Sequence, residues 1–410
     1  MKNSYLSTSI GLYINFFVFG MASIIIALNI DFLSVKWETT TAGVAAVVSS
    51  FGIGKLISVL FTGRISDRYG RKVATVLGIF LYLVFLLGIL WSPNAEVAYF
   101  FGILAGVGNS FLDTGTYPAL MEAFPRKPGP ANIIVKAFIQ AGQFLLPIIV
   151  GFLVIRGIWY GWSFMMLVVL LVLNLLFIMT RKFPPMTAAR PQSDRLEEGQ
   201  EKKRKSHFSI EEFCLISFGF VGQTLLYVLG QWIAKYGSEV VGMGENAARV
   251  LVSYGSIGAL ICVLVTFGLG NKGVKSSYII MAYTVMTTII SVVLWAFPTP
   301  MVATVGAFFL GYFSSGGLIQ LGLTLLAEHS PRGKGFATSL YTIAEGIALF
   351  AMPLVVAAIS KVDIAAIFLL NAFVSLLGFS LILAVFIRDK RRATVQQDIP
   401  AIQQDISLNG

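Results

Sequence analysis

Hydrophobic residues in this chain come in long runs with few or no charges, without the short alternation that marks a half-buried strand. The runs cover about 5 to 30, 42 to 63, 73 to 92, 97 to 121, 132 to 155 and 157 to 180. After a polar stretch they resume at about 209 to 234, 247 to 269, 276 to 296, 299 to 327, 335 to 360 and 364 to 387. Each is long enough, as a helix, to cross the roughly 30 Å of hydrocarbon in a bilayer. The pattern therefore predicts an all-α membrane protein with twelve transmembrane helices, spans 1 to 12. Residues 181–208 are dense in charge, contain proline and have no apolar period, so they read as a linker between six-helix bundles at 1–180 and 209–390. The polar end, 391–410, is expected to be a disordered tail.

Composition agrees with this class: 56% of residues are hydrophobic, 12% are charged and the mean hydropathy is +0.81. The first run is too long for a signal-peptide core and is expected to stay as span 1. If the N-terminus starts inside, 23 of the 30 lysines and arginines fall in the segments that would face the cytoplasm. That bias predicts an orientation with both termini cytoplasmic. A net charge of +10 concentrated in short loops reads as topology and contact with membrane lipid, not as nucleic-acid binding. Cys214 and Cys262 fall inside spans, which argues for packing and against a disulfide or metal site. His207 and His329 lie outside the spans, against a buried histidine relay. No nucleophile triad, metal cluster or phosphate loop appears, so neither enzymatic activity nor a cofactor is expected.

Between spans 2 and 3 stands GRISDRYGRK, residues 63 to 72. Gly63 suits a close approach of helix ends, Gly70 a turn with positive φ, and Asp67 the positive end of a neighbouring helix. Arg64, Arg68, Arg71 and Lys72 supply the charge that holds the loop inside. The pattern Gly-x-x-x-Asp-Arg-x-Gly-Arg-Lys resembles the loop between helices 2 and 3 of the major facilitator superfamily. A shift of 206 residues also superposes Glu122, Pro125, Arg126, Gly129, Ala131 and Pro147 on Glu328, Pro331, Arg332, Gly335, Ala337 and Pro353. The resemblance implies two parallel, pseudo-symmetric bundles around a central site, a monomer, and a basic loop that latches the inner helix ends in the outward-open state.

Four ionisable residues sit well inside spans: Lys55, Asp113, Lys136 and Glu345. Charge in a bilayer costs several kcal/mol, so each is a functional candidate; snorkelling of the lysines and a fixed ion pair of Asp113 with Lys55 or Lys136 are the structural alternatives. Lys136, Gln140, Gln143 and Pro147 share one face of span 5. Asn109, Asp113 and Thr116 share a face of span 4, Gln223, Tyr227 and Gln231 a face of span 7, and Tyr341 and Glu345 a face of span 11; Gln320 in span 10 is a further polar candidate. Polar stripes on several helices suit a wet cavity better than interhelical glue.

The stretch LDTGTYPALMEAFP is similar to the part of fucose-permease-like proton symporters that holds a membrane carboxylate, and Asp113 takes that position. More widely, NSFLDTGTYPALMEAFP followed by KAF and GQFLLP resembles enterobacterial inner-membrane permeases, some encoded near shikimate and quinate metabolism. The expected function is proton-coupled uptake of a small hydroxylated acid or sugar. Asp113 and Glu345 would serve the proton, Lys136 and Lys55 an anionic group, and the amides and tyrosines hydroxyls. Efflux of drugs or metabolites is the alternative. Against it, Gly102 stands where drug antiporters place an arginine, and Leu146 stands where they place the glycine of a Gly-Pro pair.

Overall fold

The computed structural model describes residues 5–59, 61–125, 128–186, 209–315, 317–330 and 334–409. Its spans are Leu6–Leu28, Thr41–Ser58, Arg71–Trp91, Ala95–Ala123, Ile134–Ile155 and Trp162–Met179 in the first half. Those of the second half are Ile210–Glu239, Glu245–Gly270, Ser276–Ala296, Pro300–His329, Ala337–Ser360 and Ala366–Lys390. These are the twelve expected helices in two six-helix bundles. Most of the expected linker, with His207, and Arg126, Pro331 and Arg332 of the repeat lie outside the described residues.

Three boundaries differ from the sequence reading. Span 2 ends at Ser58, and the start of the basic loop forms a separate helix, Thr62–Tyr69, which Gly70 stops with φ +100°. Span 10 is interrupted: Pro300–Leu310 gives way to a π turn at Gly311–Ser315, and the helix restarts at Leu318–His329. The last helix continues to Asn409, where a disordered tail was expected.

Backbone contact through glycine positions the spans within each half. In the first half a Cβ at Gly20 would stand 2.1 Å from the Ile139 carbonyl, and one at Gly142 2.1 Å from that of Phe17, so spans 1 and 5 touch main chain to main chain. Spans 2 and 4 meet in the same way at Gly54 and Gly106, and spans 8 and 10 at Gly258 and Gly311. The second pair of spans and the third occupy equivalent places in the two halves, the pseudo-symmetry of the repeat seen as packing. Buried amides add polar ties: Asn174 donates to the Gly11 carbonyl (2.9 Å), and Asn371 to Ser291 Oγ (2.8 Å). Such ties contribute about 0.6 kcal/mol each in a bilayer, so close packing carries most of the association.

Candidate functional site

Lys55 of span 2 and Glu345 of span 11 meet across the two halves, Nζ to Oε2 at 3.4 Å, with both side chains 13% exposed. Close packing brings them together. A Cβ at Gly52 would lie 2.2 Å from the Phe350 nitrogen, and the Leu56 side chain covers Gly346 at 2.8 Å from its Cβ position. Span 2 is thus pressed onto span 11 at Gly52, about one turn before Lys55, and at Leu56, the residue after it.

Asp113 of span 4 and Lys136 of span 5 lie within electrostatic range of this pair and of each other. Both are half-buried, and among the described residues neither has a hydrogen-bond or ion-pair partner. Of the alternatives left open by the sequence, the fixed pair formed by Lys55 is with Glu345 and not with Asp113. Two cations and two acids make the cluster neutral as a whole, with one pair joined and two charges free.

Of the polar stripes, two converge on span 1. Gln143 Nε2 donates to Ser23 Oγ (3.1 Å), and Gln231 Nε2 donates to the Ser23 carbonyl (2.7 Å). Asn109, Gln140 and Gln223 make no hydrogen bond through their amides among the described residues; Asn109 and Gln223 are half-buried and Gln140 is 7% exposed. Three candidates are engaged with protein or exposed. Tyr341 is 1% exposed and within range of the Glu345 charge, and its hydroxyl fills the room left by Gly322 beside Phe218. Tyr227 is buried and accepts from Trp232 Nε1 at 3.3 Å. Gln320 is exposed, on the face of Thr324 and Glu328.

Aromatic residues that the sequence reading passed over stand beside the cluster. Tyr82 and Tyr117 lie within range of the Asp113 charge. Tyr117 packs on Phe16 (centroids 5.6 Å apart), which meets Phe19, which in turn meets Tyr82. Tyr117 follows Asp113 by four residues and was findable from helical spacing; Tyr82, on span 3, carried no such signal.

The basic loop is tied into its own half. Arg71 pairs with Asp67 at 2.6 Å and with Glu122 at 3.5 Å, while Lys72 Nζ donates to the carbonyls of Met179 (2.6 Å) and Arg181 (3.1 Å) at the end of span 6. Arg64 and Arg68 are exposed, the latter over the Tyr69 ring. Two expectations do not hold in this conformation. A Cβ at Gly63 would meet nothing within 4 Å, and the Asp67 side chain is 69% exposed and held by Arg71 in place of a helix end. His329, expected in a loop, ends span 10 and binds Asp389 of span 12 at 2.9 Å.

The hydrogen bonds, ion pairs and glycine contacts described between the halves lie between this cluster and the face remote from the termini. They include the Gln231–Ser23 bond, Ser253 Oγ donating to the Phe144 carbonyl (2.7 Å), and an ion pair between Lys235 and Asp31. The described ties between the halves thus lie on the side of the cluster away from the termini and the basic loop.

Residues 9–313 match the family model for the Major Facilitator Superfamily. The chain is 41% identical over 392 residues to the inner membrane transport protein YdiM of Escherichia coli, covering 96% of each chain. It is 26% identical over 247 residues, 58% of this chain and 55% of the other, to the gentisate transporter of Corynebacterium glutamicum. Among solved structures it resembles a D-xylose-proton symporter, with a TM-score of 0.73 at 15% identity, covering 93% of this chain and 96% of that one.

Proposed function

The chain belongs to the major facilitator superfamily, and from that premise we propose that it imports a small hydroxylated cyclic carboxylate together with protons by alternating access. One observation carries the reading: Asp113 and Lys136 stand half-buried and uncommitted beside the Lys55–Glu345 pair that joins the halves. An uncommitted ammonium in a low-dielectric cavity favours an anionic solute, and an uncommitted carboxyl can take up and release a proton without breaking a pair. Asn109, Gln140 and Gln223 supply donors and acceptors for hydroxyls, and the Phe16 and Tyr117 rings offer faces for a cyclic substrate. Lys55 acts as the bridge between halves, and Lys136 as the contact for the carboxylate. Gentisate, the solute in the name of one relative, is a substrate of this chemical class.

Placing the basic loops in the cytoplasm makes this conformation inward-facing. In the outward-facing state the loop around Gly63 and Asp67 closes against the second half; their exposure here supports a latch that is disengaged. The protein acts as a monomer of the inner membrane with both termini cytoplasmic.

Thermal unfolding of the purified protein with ring acids such as gentisate and shikimate, with sugars and with lipophilic cations tests the reading. A ligand at a hundredfold excess over its Kd stabilises by about 2.7 kcal/mol. The expected result is a raised Tm with a hydroxylated ring acid, abolished by Lys136→Met. Stabilisation by lipophilic cations alone would instead make the protein an efflux carrier.

A further inference from the structure

On the face remote from the termini, Lys235 Nζ lies 2.6 Å from Asp31 Oδ1 and 2.6 Å from Glu239 Oε1. The two carboxylates differ in kind. Glu239 is one turn along the same helix, span 7, whereas Asp31 belongs to the first half, in the short helix Ile30–Lys36 that follows span 1 beyond Asn29. The Lys235 side chain is 11% exposed, and Asp31 and Glu239 are 49% and 46% exposed, so the ammonium is screened from water while its partners face it. Below this triad the same two spans stay in register. Gln231, one turn deeper, donates to the Ser23 carbonyl at 2.7 Å, and the Ile24 side chain lies 3.5 Å from the Cβ position of Gly230. Lys235 is therefore the outermost member of the helix face that also presents Gln223, Tyr227 and Gln231.

We propose that the Asp31–Lys235 bridge is an ionic lock that holds this face shut, and that its rupture is a required step in opening the site to that side. The bond joins the two bodies that must separate, near the outer end of span 7 and several turns from the central cluster, where a small rotation gives a large displacement. Glu239 makes the lock reversible. When the halves part, Lys235 loses Asp31 but keeps the carboxylate one turn away, so no ammonium is left unpaired in the opening cleft and the exposed Asp31 returns to water. Asp31 and Lys235 are positioning residues for the transport cycle and do not contact the solute. The inference concerns conformation alone and stands or falls independently of which solute is carried.

Spin labels at Val35→Cys and Val362→Cys test it. Both positions are on this face, one in each half, and are 81% and 90% exposed, while the native Cys214 and Cys262 are buried. Distances between the labels are measured by pulsed electron paramagnetic resonance with the whole protein in lipid nanodiscs. The unmodified lock is expected to give mainly the short distance. Asp31→Asn is expected to enlarge the long-distance population about two- to fivefold, the range for a pair with one half-exposed partner, and Lys235→Met to do the same. Glu239→Gln, which removes an equal charge but leaves the bridge between halves, is expected to keep the short distance. The proposal is overturned if Asp31→Asn leaves the distribution unchanged, if Glu239→Gln opens the face as much as Asp31→Asn does, or if the intact lock already gives the long distance.

Discussion

Lys55 and Glu345 are 290 positions apart in the chain and 3.4 Å apart in the protein. Removing one partner leaves the other charge without its pair in a site only 13% exposed, a change that costs on the order of 3 kcal/mol. Glu345→Gln is therefore expected to lower the thermal unfolding midpoint, and adding Lys55→Met to that variant to restore part of the loss. Asp113 gives the opposite expectation, because it has no partner to strand. Asp113→Asn should leave stability unchanged and abolish proton-driven accumulation while sparing counterflow exchange in proteoliposomes; accumulation at the normal level would remove Asp113 from the coupling. The four intramembrane charges were legible in the sequence because the bilayer tolerates so few. Which of them pair was not legible, since that depends on how two halves close on each other, and no local spacing encodes it. Tyr341 shares a helix face with Glu345 and lies within range of its charge, while its hydroxyl is taken up by the room beside Gly322.

At the scale of elements the twelve spans were readable to within about five residues at each end, because hydrocarbon thickness fixes their length and uncharged composition. Breaks within them were not. Span 2 and span 10 both look continuous in hydropathy, and only backbone geometry separates Thr62–Tyr69 from the first and inserts a π turn in the second. Glycines explain how the elements seat. Gly142→Ala would place a Cβ 2.1 Å from a main-chain carbonyl of span 1, which has no flexible tip to yield, so spans 1 and 5 must part. A fall in thermal stability of about 1 to 3 kcal/mol is expected, within the range for overpacked interiors, whereas Gly63→Ala, with open space around it, should unfold at the temperature of the unmodified protein.

The whole molecule is two bundles joined at a charge cluster and tied together on the side remote from the termini. The internal repeat and the charge bias made the bundles legible, but the conformation could not be read, because both states use the same sequence. Gly52 sits where the halves press closest, and Gly52→Val would force span 2 from span 11. With the labels at positions 35 and 362, this variant is expected to shift the distance distribution toward the longer value even with Asp31 and Lys235 intact. The interruption of span 10 bears on a different property. A π turn from Gly311 to Ser315 and the restart at Leu318 break the regular helical hydrogen-bond pattern halfway along the span, and Ser314 Oγ donates to the Leu310 carbonyl there. Isotope labelling of the backbone should therefore find a leak at mid-depth. In hydrogen–deuterium exchange, peptides covering 311–320 are expected to take up deuterium well before the unbroken helices on either side, making the centre of this transporter, in its solvent chemistry, part of its surface.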